Sequence, residues 1–556
     1  MAITTKDTII TQEMIDQYTA AGYWTGETLL DYLDKAIGNY PDKIALVDKK
    51  ERVTYRELDA ITTRLALGFL NIGIGKGDVI SLQLPNWNEF VYAHLAAEKI
   101  GAVTNPIIPY YRQKELIYEL TLTDSVALII PSEFRRFQYI SMIPDLRESV
   151  PSLKHVFVVG DDVPQDAISF KKFSEEKWEE KYPEDHLRSF RPKGTDVFLL
   201  LFSSGTTALP KGVMHTHNTN IWVMRTLTRV LGLSSVDVVF VPSPISHGTG
   251  LQWGVRQAMF LGSKCVLMEI WNPEEACRLI QNERCTYCFA ATPFITDLVK
   301  FGDLHKYDLS SFRLFGCAGA PIPSELAKQA ESKIGCKLVP AYGETEHFVS
   351  TACYPSDPLE KITGSDGCAL PGEEVGVFDD NRKELPPGQT GELAIRGPGV
   401  AAGYYKRPEE TKETFTDGGW QFSGDLAVKY EDGYIRIVGR KKDIIIRGGF
   451  NISPSEVEDI LFSHGKIKDV SIVGMPDERL GERSCAYVIP NEGQTITLEE
   501  IISFLKQKKL AIQKLPERLE IVKELPMTAS GKVQKYLLRE DIAKKLERER
   551  AEAGKK

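Results

Sequence analysis

Short apolar runs alternate with amphipathic stretches through the first part of the chain. Val79–Leu84 predicts a strand, Asn88–Ile100 has helical spacing and stops at Gly101, and Ser125–Ile130 predicts a second buried strand. Such alternation predicts a layered α/β core. Lys171–Arg191 is polar and charged and reads as a surface connection. The alternation then continues to Arg440, with Gly and Pro at the ends of the apolar runs. Pro371–Gly399 has a different character. Its short runs, Glu374–Phe378 and Gly391–Arg396, are separated by turns such as LPPGQTG and predict a small β subdomain. GRKKD at Gly439–Asp443 interrupts the pattern again. Beyond it, strands at Asp469–Val473 and Ser484–Ile489 and a helix at Leu498–Lys508 predict a compact α+β block. The charged tail Tyr536–Lys556 reads as a solvated, frayed helix. The expected division is a large N-terminal domain over residues 1–440, built of α/β subdomains with a small β part, and a smaller mobile C-terminal domain over 441–556, with a hinge near Lys442.

Composition narrows the class. The chain has 556 residues, enough for several cores without disulfide or metal staples. Its formal charge of −9 argues against a nucleic-acid binder, which shows a basic footprint. A local anion site is still compatible with that balance. Runs such as Val197–Phe202 fall far short of the ~18 apolar residues of a membrane span. The N-terminus lacks the apolar core of a secretory signal, and the ending AGKK is no peroxisomal address. Nine cysteines without regular spacing suggest reduced thiols and a cytoplasmic setting. The CxxC pair Cys285–Cys288 has no matching second pair and reads as core packing. There is no GxSxG elbow for lipase-like chemistry.

The strongest local signal is Val197–Gly212. An apolar run ends in Ser203, Ser204, Gly205, Thr206 and Thr207, and Pro210, Lys211 and Gly212 follow. Small and hydroxyl residues let backbone N–H groups turn toward an anion, and Lys211 adds a point charge for phosphate. The Walker spacing GxxxxGK[ST] is absent. A strand followed by a Ser/Thr-rich turn explains the same residues equally well when they are taken alone.

SSGTTALPKG resembles the phosphate loop of the acyl-adenylate-forming enzymes: acyl-CoA synthetases, peptide-synthetase adenylation domains and firefly luciferases. Ala208 stands where the family usually has Gly, which stiffens the loop. Further segments resemble the family's motifs, in its order: Tyr342–Glu346 (YGETE), Trp420–Asp425 (WQFSGD), Gly439–Asp443 (GRKKD) and Pro526–Lys532 (PMTASGK). The likeness runs from about Leu29 to Lys535. It implies two half-reactions, in which a carboxylate attacks the α-phosphate of ATP and a thiol, usually of coenzyme A, then displaces AMP. It further implies that Ser203–Thr207 and Lys211 hold phosphates and that Thr345 donates to the α-phosphate. Glu346 would bind Mg²⁺, a hard cation that prefers oxygen. Tyr342 and Gly343 would meet adenine, together with Gly319, Ala320 and Pro321 of the small-residue turn Cys317–Pro321. Asp425 would accept from the ribose diol and Arg440 would reach ribose or phosphate. Lys532 would contact the carboxylate and α-phosphate as a catalytic residue. Gly448 and Gly449, in Ile446–Asn451, would let a pantetheine arm approach. Because Lys532 and that turn lie on one small domain, the resemblance implies a rotation about Lys442.

The acid pocket is less legible. Pro244–Gly250 (PISHGTG) resembles the motif that pairs an aromatic with a histidine beside the acid, with Ser246 in place of the aromatic. His247 would line the acid site with Gly319 and Tyr342, and Ser246, the glycines and Trp253 suggest a mainly apolar pocket. No acid or base there answers an amino group. The resulting expectation is an AMP-forming acid–CoA ligase acting on a medium-chain fatty, alicyclic or aryl acid, with ATP, Mg²⁺ and CoA, in fatty acid metabolism. A homodimer is one compatible assembly. Alternatives are an adenylation enzyme that loads a carrier-protein phosphopantetheine, a luciferase-like monooxygenase, and a non-catalytic ATP-binding relic, against which Lys532, Glu346 and Asp425 argue.

Overall fold

In a computed structural model, residues 2–203, 210–318, 322–448, 450–527 and 533–553 are described. The chain forms two compact units, one of Met1–Glu374 with Ile395–Gln421 and one of Val375–Ala394 with Phe422–Lys556.

The first unit holds two large sheets. In one, strands Lys211–Thr216, Val197–Ser203, Val103–Pro106, Val79–Leu82, Ala127–Pro131, His155–Val159 and Ile168–Ser169 lie in that order. All are parallel except the first pair, Val197–Ser203 with Lys211–Thr216, which is antiparallel. Val79–Leu82 and Ala127–Pro131 are buried at every residue, because parallel strands are covered on both faces; the one polar side chain, Ser81, is hydrogen-bonded to Ser125 at 2.7 Å. The other sheet has nine strands. Its parallel centre includes Val238–Val241, Tyr287–Ala291, Leu314–Ala318 and Lys337–Tyr342. Five cysteines of this region, including Cys285 and Cys288, pack into its apolar cluster. Burial pushes their thiols up, which fits packing.

Helix Asn88–Lys99 is buried on nearly every side and carries His94 and Glu98 into the interior. There they meet Arg256, which closes a π-helical stretch, Leu251–Arg256. Arg256 donates to Glu98, to His94 Nε2 at 2.9 Å, and twice to Asn220 Oδ1, and its guanidinium lies 4.0 Å from the Phe198 ring centre. The polar connection at Lys171–Arg191 is more structured than expected. It forms helix Phe170–Glu175 and two 3₁₀ turns, and it buries Phe170, Phe173 and Trp178.

The second unit contains most of a four-stranded sheet, in the order Glu374–Phe378, Thr390–Arg396, Gln421–Lys429, Ile435–Arg440. It also contains a five-stranded sheet around the long hairpin Ile467–Asp477/Gly481–Pro490. One face of the hairpin packs on helices Pro454–Leu461 and Leu498–Gln507 through Val457, Leu461, Ile501 and Leu505. The other face packs on helix Lys535–Ala553 through Leu538 and Ile542. That last helix is therefore anchored, not merely solvated. The units also part earlier in the chain than residue 440: residues 375–394 and 422–440 go with the C-terminal residues, because the strands of the small sheet pair with one another.

Candidate functional site

Strand Val197–Ser203 and its return Lys211–Thr216 are in register with Ser203 opposite Lys211. The two ends of the phosphate-loop segment are thereby held side by side. Ser204, Gly205, Thr206 and Thr207 lie outside the described residues. The return strand is joined to the nucleotide motif by one bond: His215 Nε2 lies 2.7 Å from the Thr345 carbonyl. Burial pushes the His215 imidazole down to about 4, so it is neutral and donates to that oxygen.

Tyr342 ends strand Lys337–Tyr342 and is nearly buried, with its ring 5.7 Å from that of His347. Gly343 has a steric reason to be glycine. A Cβ there would meet the Phe348 carbonyl oxygen at 1.6 Å. The turn then brings Glu344 to Gln421 Nε2 at 2.6 Å and Glu346 to Tyr404 Oη at 2.7 Å. Ala401 N–H donates to the Glu346 carbonyl at 2.8 Å. The segment carrying Tyr404 bonds back to the phosphate-loop strand through Tyr405 N–H to Gly212 O and Ala402 N–H to Met214 O. Lys211 Nζ sits 4.2 Å from the Tyr404 ring centre. Lys211, Tyr404 and Glu346 thus form one chain of contacts, and His215 ties in Thr345. Burial, and then Glu346, raise the Tyr404 phenol far above its ordinary value, so it remains a donor. Glu346 is a hard carboxylate donor, and Mg²⁺ characteristically takes one or two carboxylates and completes its shell with water and phosphate oxygens. The residues present fit that mode.

His247 caps the short turn Gly248–Gly250 by accepting the Thr249 N–H at Nδ1, 3.2 Å away. It lines a small cleft with Ser246 and Thr345. Trp253 packs on Phe289 and Phe348. Gly319, Ala320 and Pro321 lie outside the described residues.

In the second unit, Asp425 and Arg440 are direct partners on antiparallel strands, and Arg440 Nε lies 3.0 Å from Asp425 Oδ1. Asp425 is nearly buried, and its backbone N–H bonds Ser423 Oγ at 3.1 Å. Strands Ile445–Arg447 and Phe450–Ile452 pair antiparallel with Arg447 opposite Phe450, and Gly448 sits at φ +56°. Gly449 and Lys532 lie outside the described residues. In the GRKKD segment, Lys441 pairs with Asp380 and Glu392, while the Lys442 carbonyl accepts from Arg539 at 2.9 Å.

Two polar residues escaped the sequence reading. Tyr404, in AAGYYKRP, carries no motif signal of its own. Glu119 had one: it falls three residues after Leu116 and one before Leu120, on the buried face of helix Gln113–Leu122.

Family models bear on the whole arrangement. Residues 33–405 match the model described as AMP-binding enzyme, and residues 456–532 match AMP-binding enzyme C-terminal domain. A medium-chain fatty-acid–CoA ligase of Escherichia coli (strain K12) is 40% identical over 531 residues, covering 95% of this chain and 93% of its own. The 2,3-dihydroxybenzoate-AMP ligase of Bacillus subtilis (strain 168) is 33% identical, covering 96% and 97%. Among solved structures, the anthranilate CoA ligase AuaEII in complex with anthranoyl-AMP superposes with a TM-score of 0.83 at 25% identity, covering 93% of this chain and 98% of the other. ATP-bound MatB from Rhodopseudomonas palustris gives 0.83 at 27% identity, covering 93% and 99%.

Proposed function

Because the chain belongs to the AMP-binding family of adenylate-forming acid ligases, we propose that it is an ATP-dependent acid–CoA ligase whose substrate is a medium-chain fatty, alicyclic or aryl acid. In the first half-reaction a carboxylate oxygen bonds to the α-phosphorus of ATP and the bond to pyrophosphate breaks. In the second, the sulfur of CoA bonds to the acyl carbon, AMP leaves, and the thiol proton passes to solvent. The observation that carries this reading is the Tyr404 bridge, with Lys211 over its ring and Glu346 on its hydroxyl. A phosphate-binding ammonium and a hard carboxylate are held in one network, which suits a polyphosphate.

In this reading Lys211, Ser203, Ser204, Gly205, Thr206 and Thr207 hold the β- and γ-phosphates. Thr345 donates to the α-phosphate, and Tyr342, Gly343, Gly319, Ala320 and Pro321 receive adenine. Glu346 would hold Mg²⁺, which neutralises charge on the phosphate oxygens when bound. Asp425 takes the ribose diol. Its ion pair with Arg440 fixes the position of the carboxylate on its strand. Lys532 serves adenylation, Gly448 and Gly449 serve thiol approach, and the two alternate by rotation near Lys442. Cytoplasmic placement follows from the need for ATP and CoA, and no helix among the described residues is long and apolar enough to cross a membrane.

A carrier-protein loader is the second reading, favoured by the 33% identity to a 2,3-dihydroxybenzoate-AMP ligase. A panel of carboxylic acids decides, read by pyrophosphate release with and without CoA. CoA-dependent release with AMP and acyl-CoA as products supports the ligase. Adenylate formation that CoA never discharges supports the loader.

A further inference from the structure

Glu119 is wholly buried, and its Oε2 has no hydrogen-bond partner. Burial, with Glu115 nearby, holds its carboxyl well above the ordinary carboxylate range, so it is a neutral acid that can both donate and accept. It lines the same small cleft as Ser246, His247 and Thr345. Ser246 Oγ is buried and likewise unpartnered. Leu201, Phe202 and Ile108 complete an apolar wall. Two polar groups left unpaired on one cavity are costly unless something that enters it bonds to them. A plain hydrocarbon chain would leave both unpaired. An anionic tail would find no lysine or arginine among the described lining residues. A hydroxyl or keto oxygen would satisfy both.

We propose that Glu119 and Ser246 form a specificity subsite that receives an uncharged hydrogen-bonding substituent, a hydroxyl or keto oxygen, on the acid substrate. The inference rests on the acid–CoA ligase reading and narrows its substrate class. The cavity joins the subsite to Thr345 and His247, where that reading places the reacting carboxylate.

The test uses matched acids in ATP–pyrophosphate exchange: octanoate with 7-hydroxyoctanoate and 7-oxooctanoate, and benzoate with 3- and 4-hydroxybenzoate. The wild type should prefer the oxygenated member of at least one pair by about tenfold or more in kcat/KM, since a site built to bond an oxygen rejects the analogue lacking it. Glu119→Met should lower that ratio about tenfold, mainly through KM for the oxygenated acid, and Glu119→Gln, which keeps a donor and an acceptor, should restore most of it. Ser246→Ala provides a smaller change should Glu119→Met melt early. The subsite is overturned if the wild type shows no preference in any pair. It is equally overturned if the substitutions leave the ratio unchanged, as for a cavity that holds only water, or if the loss is confined to thioester formation from pre-formed acyl-AMP. No exchange with any acid sinks the ligase reading itself, and the subsite with it. Exchange with unaltered selectivity sinks the subsite alone.

Discussion

The phenol of Tyr404 donates to Glu346 at 2.7 Å while its ring lies 4.2 Å from the Lys211 ammonium. One aromatic residue thereby touches both the ammonium and the carboxylate. Tyr404→Phe keeps the ring and removes the hydroxyl. A hydrogen bond to a charged group contributes about 1.5–3 kcal/mol to the folded state, so the melting curve should drop, and pyrophosphate exchange should fall with a shifted Mg²⁺ optimum. An unaltered Mg²⁺ titration would separate Tyr404 from the site.

Lys532→Ala should cripple adenylation far more than thioester formation from supplied acyl-AMP. Loss of one transition-state donor typically costs on the order of 100- to 1000-fold. Equal loss in both halves removes the role given to this lysine.

Lys442→Pro addresses the pivot. Lys441 is tied to Asp380 and Glu392, and the Lys442 carbonyl to Arg539, so the chain on either side is anchored to different elements. Proline fixes φ near −65°, and a hinge must change φ and ψ between states. The variant should retain pyrophosphate exchange and lose CoA ester formation from acyl-AMP. If both rates fall together with the melting curve unchanged, the pivot lies elsewhere.

Glu98 and Arg256 test the interior. Breaking a buried ion pair by removing one partner typically costs about 3–5 kcal/mol, because a buried charge is left uncompensated. Arg256→Met should therefore lower the urea midpoint sharply. The double variant Glu98→Leu/Arg256→Met should recover much of the loss. Equal destabilisation in single and double variants would mean that packing, not charge, is what matters there.

Glu373 gives a pH signature. Burial pushes its carboxyl up from 4.5 to about 8, against smaller opposing effects from the Ser350 side chain and the Gly399 backbone. In that interval the native state keeps a proton that the unfolded chain has released, so stability falls as pH rises from about 4.5 to about 8 and levels off above. Glu373→Gln removes this contribution. Its urea midpoint relative to the wild type should rise between pH 5 and pH 8, by the equivalent of about a few kcal/mol at the upper end. Parallel pH profiles for the two proteins would refute the assignment.

The elements that were legible in the sequence are those with one dominant local signal. Ala127–Pro131 is an uninterrupted apolar run and Val79–Leu82 is broken only by Ser81, and the structure makes both central strands. Strands Ile445–Arg447 and Phe450–Ile452 pair within the glycine-containing segment singled out near Ile446. The misreadings came where charge density concealed a narrow apolar stripe. Leu538 and Ile542 anchor the last helix although nearly every neighbour is charged, and Phe170, Phe173 and Trp178 do the same in the connection before residue 191. At the candidate site, residues inside motifs carry a local signal, whereas Tyr404 and Glu119 adjoin residues far away in sequence. Tyr404 meets Glu346 across 58 positions, which no local pattern encodes. Glu119 sat in a readable helical register, but the expectation of an apolar pocket gave no reason to ask why an acid occupied an inward position.

Helix Lys535–Ala553 begins just after Val533, which pairs with Met527 in an antiparallel bridge, and it seats Leu538 and Ile542 against Val473, Met475, Cys485 and Tyr487. That helix is therefore the cover of one hydrophobic face of the long hairpin. Anyone trimming this protein for crystallisation or fusion should treat residues 535–553 as part of the fold's cladding: removing them would bare a greasy sheet face, whereas a tag joined beyond Ala553 leaves it covered.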